Sequence, residues 1–189
     1  MRKMKIQDMK LSGAFEITPT LNVDSRGFLA RTYDQDTFNN AKIDRRWVQE
    51  SWSHTENKFT VRGLHVQFSP YTETKLVSII NGKMMWVIVD VRKGSDTFGE
   101  WDSVLLSSEE RNSLFVERGF AHGCLSLTDN CDLLLKSDCE FIEGKGTGIL
   151  WNDPIIDIDW GEMHKKPIIS ERDDAYPSFN DFIMNYGGI

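Results

Sequence analysis

Apolar and polar residues alternate in short runs along most of this chain, and clusters of turn-forming residues separate the runs. Alternation with a period of two is the signature of a strand with one buried face. On that basis strands are predicted over residues 17–21, 28–33, 47–53, 61–67, 75–80, 83–91, 100–106, 113–116, 122–127, 132–137 and 148–150. Asn81-Gly82, between two of these runs, is a strong hairpin signal. A turn-rich break is expected over residues 22–27, with further turns at Ser69-Pro70-Tyr71, Lys93-Gly94-Ser95 and Arg118-Gly119. Residues 36–40 read as a short helical turn, and a short helix is expected from Ser170 onward. No long stretch has helical periodicity. Short strands at near-regular spacing predict an all-β sandwich or barrel, in a single domain over residues 1–189.

The run from Val61 to Gln67 carries the densest candidate chemistry. Strict alternation would place Gly63, His65 and Gln67 on one face and Arg62, Leu64 and Val66 on the other. An inward histidine beside a glycine and a neutral amide is either a core histidine satisfied by a hydrogen bond or a general base in a cavity.

Composition narrows the partners. Hydrophobic residues make up 40% of 189 residues, enough for one sizeable core. The formal net charge of -7 argues against a polyanionic nucleic acid. Cys124, Cys131 and Cys139 form no close metal-ligand pair and leave an odd thiol, which fits a reducing cytoplasm. The basic N-terminus is followed by no apolar h-region, and no apolar run approaches the roughly 20 residues that cross a bilayer. Neither a signal peptide nor a membrane partner is expected.

From Asp24 to Asp173 a series of motifs resembles the dTDP-4-dehydrorhamnose 3,5-epimerase family. They include Asp24-Ser25-Arg26-Gly27-Phe28, Val48-Gln49, Arg62-Gly63-Leu64-His65-Val66-Gln67, Lys75-Leu76-Val77, Asp90-Val91-Arg92-Lys93-Gly94-Ser95, Gly119-Phe120-Ala121-His122-Gly123, Trp151-Asn152-Asp153-Pro154 and Ser170-Glu171-Arg172-Asp173. The resemblance implies a cupin (jelly-roll) fold and an isomerase that inverts a carbon next to the C4 ketone of a nucleoside-diphosphate sugar. It implies no metal and no organic cofactor. His65 matches the base, Asp173 the carboxylate that orients it, and Lys75 the cation beside the ketone oxygen. Arg26 and Arg62 match diphosphate-binding arginines. Arg31, Gln49, Ser51, Gln67 and His122 fall at substrate- or nucleotide-binding positions, although His122 could equally be structural. The family commonly forms homodimers in which N-terminal strands cross to the partner, so Arg26 and Arg31 could serve a neighbour's pocket.

Departures from the family pattern sharpen the expectation. Leu135 stands where a tyrosine, the acid on the opposite ring face, is usual. Leucine has no proton to give. Three readings follow: a C3-only epimerase, favoured because the enolate-forming residues remain; a double C3/C5 epimerase with a displaced donor such as Tyr71, Tyr176 or Cys139; or a non-catalytic sugar-nucleotide-binding cupin. Val66 and Glu73 also depart from the pattern, as do Arg31 and Ser51 near the expected nucleotide side of the pocket; these last two put thymidine in doubt and leave guanosine, cytidine or uridine open, with a GDP-linked sugar of capsule or lipopolysaccharide biosynthesis as the expectation. A metal-dependent cupin would want a second histidine two places after His65, where Gln67 stands.

Overall fold

A computed structural model describes residues 4–161, 163 and 166–189. The strands are β1 (Lys5–Asp8), β2 (Ala14–Thr18), β3 (Leu21–Asp24), β4 (Gly27–Ala30), β5 (Gln49–Thr55), β6 (Val61–Gln67), β7 (Lys75–Asn81), β8 (Lys83–Asp90), β9 (Trp101–Ser107), β10 (Ser113–Val116), β11 (Phe120–Ser126), β12 (Cys131–Ser137) and β13 (Gly146–Gly148). The helices are α1 (Gln35–Asn40), α2 (Glu171–Asp174) and α3 (Phe179–Tyr186). A six-stranded sheet, ordered β1-β2-β10-β7-β12-β5, faces a five-stranded sheet, ordered β13-β6-β11-β8-β9. The result is the two-sheet jelly roll expected of a cupin.

Between the sheets, Val77 and Ile79 of β7, Leu114 of β10 and Leu133 of β12 pack against Met84, Trp86 and Ile88 of β8 and Phe120 of β11. The five-stranded sheet is also covered on its outer face. There Val61, Leu64, Val66, Val87, Val89 and Leu125 meet Ile149, Trp151, Trp160, Phe179 and Phe182 from the C-terminal third. Burial on both faces explains why β8 is almost continuously apolar: Met84, Trp86 and Ile88 enter one cluster and Val87 and Val89 the other. Each fully buried aliphatic side chain contributes about 1.5–3 kcal/mol relative to exposure.

Two N-terminal expectations fail for one reason. Residues 17–21 are not one strand, because β2 ends at Thr18 and β3 starts at Leu21. The turn expected over residues 22–27 is confined to Ser25 and Arg26, because Asn22, Val23 and Asp24 belong to β3, which pairs with β4 as a hairpin. The Asp24 carboxylate accepts the Arg26 backbone N–H at 2.8 Å, and Gly27 takes φ +129°, so two residues suffice for the turn. Val23 (73% exposed) and Leu29 (71%) show why alternation could not reveal this hairpin, which has no buried face within the chain.

Candidate functional site

The site is built on β6, second in the five-stranded sheet, and this strand does not alternate as simple pleating requires. Its pairing with β11 slips, with His65 opposite His122 but Arg62 opposite Cys124. Three steps on β6 therefore match two on β11, which is a bulge. Gly63 fills the extra position at φ +108°, where a Cβ would lie 2.7 Å from both Gly123 Cα and the His122 carbonyl oxygen. The slip corrects the face assignment: Arg62 and His65 line the same cavity, while Val61, Leu64 and Val66 enter the outer-face cluster.

Behind His65 lies Asp173. Ser170 caps α2 and its hydroxyl accepts the Asp173 backbone N–H at 3.1 Å, which turns the Asp173 side chain toward β6. Asp173 Oδ1 is 3.1 Å from His65 Nε2, and its Oδ2 accepts the Gly63 N–H at 2.9 Å. Arg172 Nε donates to Oδ1 at 3.1 Å. Burial pushes the Asp173 carboxyl up, but the bonds from His65, Gly63 and Arg172 outweigh it and hold the group well below the usual carboxylate range. Tyr176 meets the His65 ring edge-on at 5.7 Å, and burial pushes its phenol up.

His65 and Arg62 each contribute to the walls of two cavities. The outer one, about 530 Å³, is bounded by Thr60, Ser170, Arg172 and Asp173 as well. The inner one, about 90 Å³, lies between the sheets. Its five-stranded wall carries Trp86, His122 and Cys124 beside His65; its six-stranded wall carries Ser53, Lys75, Leu133 and Leu135. Lys75 Nζ lies 2.9 Å from Glu73 Oε1, with the lysine side chain 16% and the glutamate 9% exposed. Glu73 Oε2 accepts from the Ser137 hydroxyl at 2.7 Å. His122 is stacked on Trp86. Burial, and then the charges of Lys75 and His65, lower its pKa well below the ordinary value, so it is neutral near pH 7. Burial pushes the Cys124 thiol up to about 12. An imidazole backed by a carboxylate, facing an ammonium across a small cavity, can take a proton from a carbon acid and hold the charge that develops.

Other predicted positions fall elsewhere. The Gln67 amide is spent on the chain that follows β6 and β12: Nε2 donates to the Tyr71 and Glu140 carbonyls and Oε1 accepts the Ile142 N–H. Gln49 Oε1 accepts the Phe141 N–H at 3.1 Å. Ser51 is exposed on β5, opposite Leu135 of β12. Arg26 pairs with Asp24 and Arg31 with Asp34; neither borders the two cavities. Tyr71, Tyr176 and Cys139 also lie outside the inner lining among the described residues. No group of three or more His, Cys, Asp or Glu among the described residues could hold a metal ion. Sequence reasoning missed Arg172 and Trp86 as site residues; the motif around Asp173 pointed to the first, and nothing marked the second.

The profile of the dTDP-4-dehydrorhamnose 3,5-epimerase family matches residues 8–181. The chain belongs to this family. A dTDP-4-dehydrorhamnose 3,5-epimerase of Methanothermobacter thermautotrophicus is 39% identical over 174 residues, covering 92% of this chain and 93% of its own. The fold matches the solved structure of the rmlC epimerase of Mycobacterium tuberculosis at a TM-score of 0.91 and 36% identity, covering 97% of this chain and 92% of that one. It also matches ChmJ, a 3'-monoepimerase from Streptomyces bikiniensis in complex with dTDP-quinovose, at a TM-score of 0.88 and 25% identity over 96% and 90% of the chains. Membership makes this protein an isomerase of the epimerase class with a cupin fold. No described helix is long and apolar enough to cross a membrane.

Proposed function

We propose that this epimerase removes and returns a proton α to the C4 ketone of a nucleoside-diphosphate sugar, and inverts C3 alone. One observation carries the reading: His65, paired with Asp173, opens onto a cavity whose facing wall holds Lys75 and Leu135, a side chain with no proton to give. With Asp173 on Nε2, the Nε2–H tautomer leaves Nδ1 as the base. Asp173 supports the imidazolium once it forms. The Lys75 ammonium and the neutral His122 N–H offer donors to the enolate oxygen. Arg62 and Arg172, both at the outer cavity, keep guanidinium hydrogens for a diphosphate beyond those that Arg62 gives to Thr55 and the His54 carbonyl and Arg172 gives to Asp173.

A thymidine diphosphate is the first nucleotide to test, because ChmJ holds dTDP-quinovose. A GDP-linked sugar draws on Arg31 and Ser51, and neither lines the two cavities within one chain. A homodimer would bring a second copy's hairpin and its Arg26 into play. Inversion at both C3 and C5 is the second reading, favoured by the names of the relatives.

Incubation in heavy water with dTDP- and GDP-linked 4-keto sugars tests the assignment. Deuterium at C3 only is expected, and deuterium at C3 and C5 selects the second reading. His65→Ala abolishes exchange and leaves nucleotide binding nearly intact. Exchange by His65→Ala near the wild-type rate would refute the base, and no incorporation by the wild type would leave a binding protein.

A further inference from the structure

The two walls of the inner cavity belong to different sheets. His65 stands on β6 of the five-stranded sheet; Ser53 of β5, Lys75 of β7 and Leu133 and Leu135 of β12 form the six-stranded side. A flat enolate lying between the sheets shows one face to His65 and the other to that wall. Inversion needs a proton to leave by one face and return by the other. Among the described residues, only Lys75 and Ser53 on the six-stranded wall carry a transferable hydrogen, because leucine has none. A serine hydroxyl is a far weaker acid than an ammonium. Lys75 is also anchored: Glu73 holds Nζ at 2.9 Å and is itself held by Ser137 at 2.7 Å. One N–H serves Glu73, and two remain for a ligand.

We propose that Lys75 is the acid that reprotonates the inverted carbon from the face opposite His65, with Glu73 as its positioning residue. The inference rests on the epimerase reading above. His65 takes the C–H proton as the bonding pair moves into the enolate. A Lys75 N–H bond then breaks, its proton forms the new C–H bond as the enolate collapses to the ketone, and the neutral amine remains. The imidazolium loses a proton to water and the amine regains one, which restores the starting charges.

Lys75→Arg separates the two tasks of a lysine. Guanidinium keeps a cation beside the enolate but does not release its proton at ordinary pH. Exchange with retention and inversion are measured together in heavy water by NMR on a dTDP-linked 4-keto sugar. Lys75→Arg is expected to continue exchanging while its ratio of inversion to exchange falls about 10²-fold, the scale of a positioned acid. An unchanged ratio overturns the proposal. If this variant does neither, Lys75→Ala with added amines decides. Inversion restored by ethylammonium and not by guanidinium supports Lys75 as the acid; equal restoration by both, or none, overturns it. Glu73→Gln is expected to lower the same ratio about tenfold, a modest share of a positioned acid's effect, and an unmoved ratio removes Glu73 from the scheme. Failure of the epimerase reading looks different, because the wild type itself would then show no exchange.

Discussion

Asp173→Asn is the most informative single change at this site. It keeps the shape of the side chain and exchanges one acceptor oxygen for a donor NH₂. In the native structure both carboxylate oxygens are committed, Oδ1 to His65 and Arg172 and Oδ2 to the Gly63 N–H. An asparagine must therefore choose. If its oxygen faces His65, its NH₂ opposes the Gly63 N–H, and two buried donors confront each other at a cost of about 1–3 kcal/mol. If its oxygen faces Gly63, its NH₂ opposes His65 Nε2, and the ring moves its hydrogen to Nδ1, where the base should be. Either way the imidazolium loses a charged acceptor, worth about 1.5–3 kcal/mol, or roughly 10- to 150-fold in rate. The tautomer fault multiplies this, and an Asp-to-Asn change in a comparable histidine–carboxylate pair costs about 10⁴-fold. We therefore expect deuterium exchange at C3 to fall by at least about 10²-fold, with nucleotide affinity preserved and unfolding stability in urea reduced by about 1–3 kcal/mol. Exchange within about threefold of the wild type would mean that the pair does not set the chemistry.

Two further outcomes test other parts of the site. Leu135→Tyr puts a hydroxyl on the six-stranded wall and is expected to increase exchange or epimerisation at C5; an unchanged C5 rate would show that the leucine is not what restricts the reaction. His122 has a folded pKa below its unfolded one, so below about pH 6.5 the unfolded chain binds a proton that the folded one refuses, and stability drops toward about 1.4 kcal/mol per pH unit until the folded group titrates. Chemical denaturation between pH 7 and pH 5 measures this slope, and His122→Asn is expected to flatten it; an equal slope in the variant would assign the effect elsewhere.

Most of the architecture is legible because the jelly roll buries residues in a simple rhythm. β7, β8 and β12 stand out in the sequence since their apolar residues meet well-defined clusters. The β3–β4 hairpin is not legible, because its apolar side chains contact solvent. Within the candidate site, motifs single out His65, Asp173 and Lys75, whereas strict alternation puts Arg62 on the wrong side. That error is physical: period-two reasoning has no means of seeing an inserted residue on one strand, and only the partner strand reveals it. The ion pair between Glu73 and Lys75 was equally invisible. Two residues apart on an extended segment are merely neighbours on one face until the fold encloses both.

The contact of Gly63 with Gly123 has a practical consequence for redesign. A methyl group on either glycine would strike the opposing main chain, at 2.7 Å in one direction and 2.5 Å in the other. The imidazole is thus mounted on a part of the scaffold that admits no adjustment. Attempts to reshape the chamber belong on the facing sheet, at Ser53 and Leu135, where β5 and β12 pair without a slip and a larger or smaller side chain leaves His65 in place.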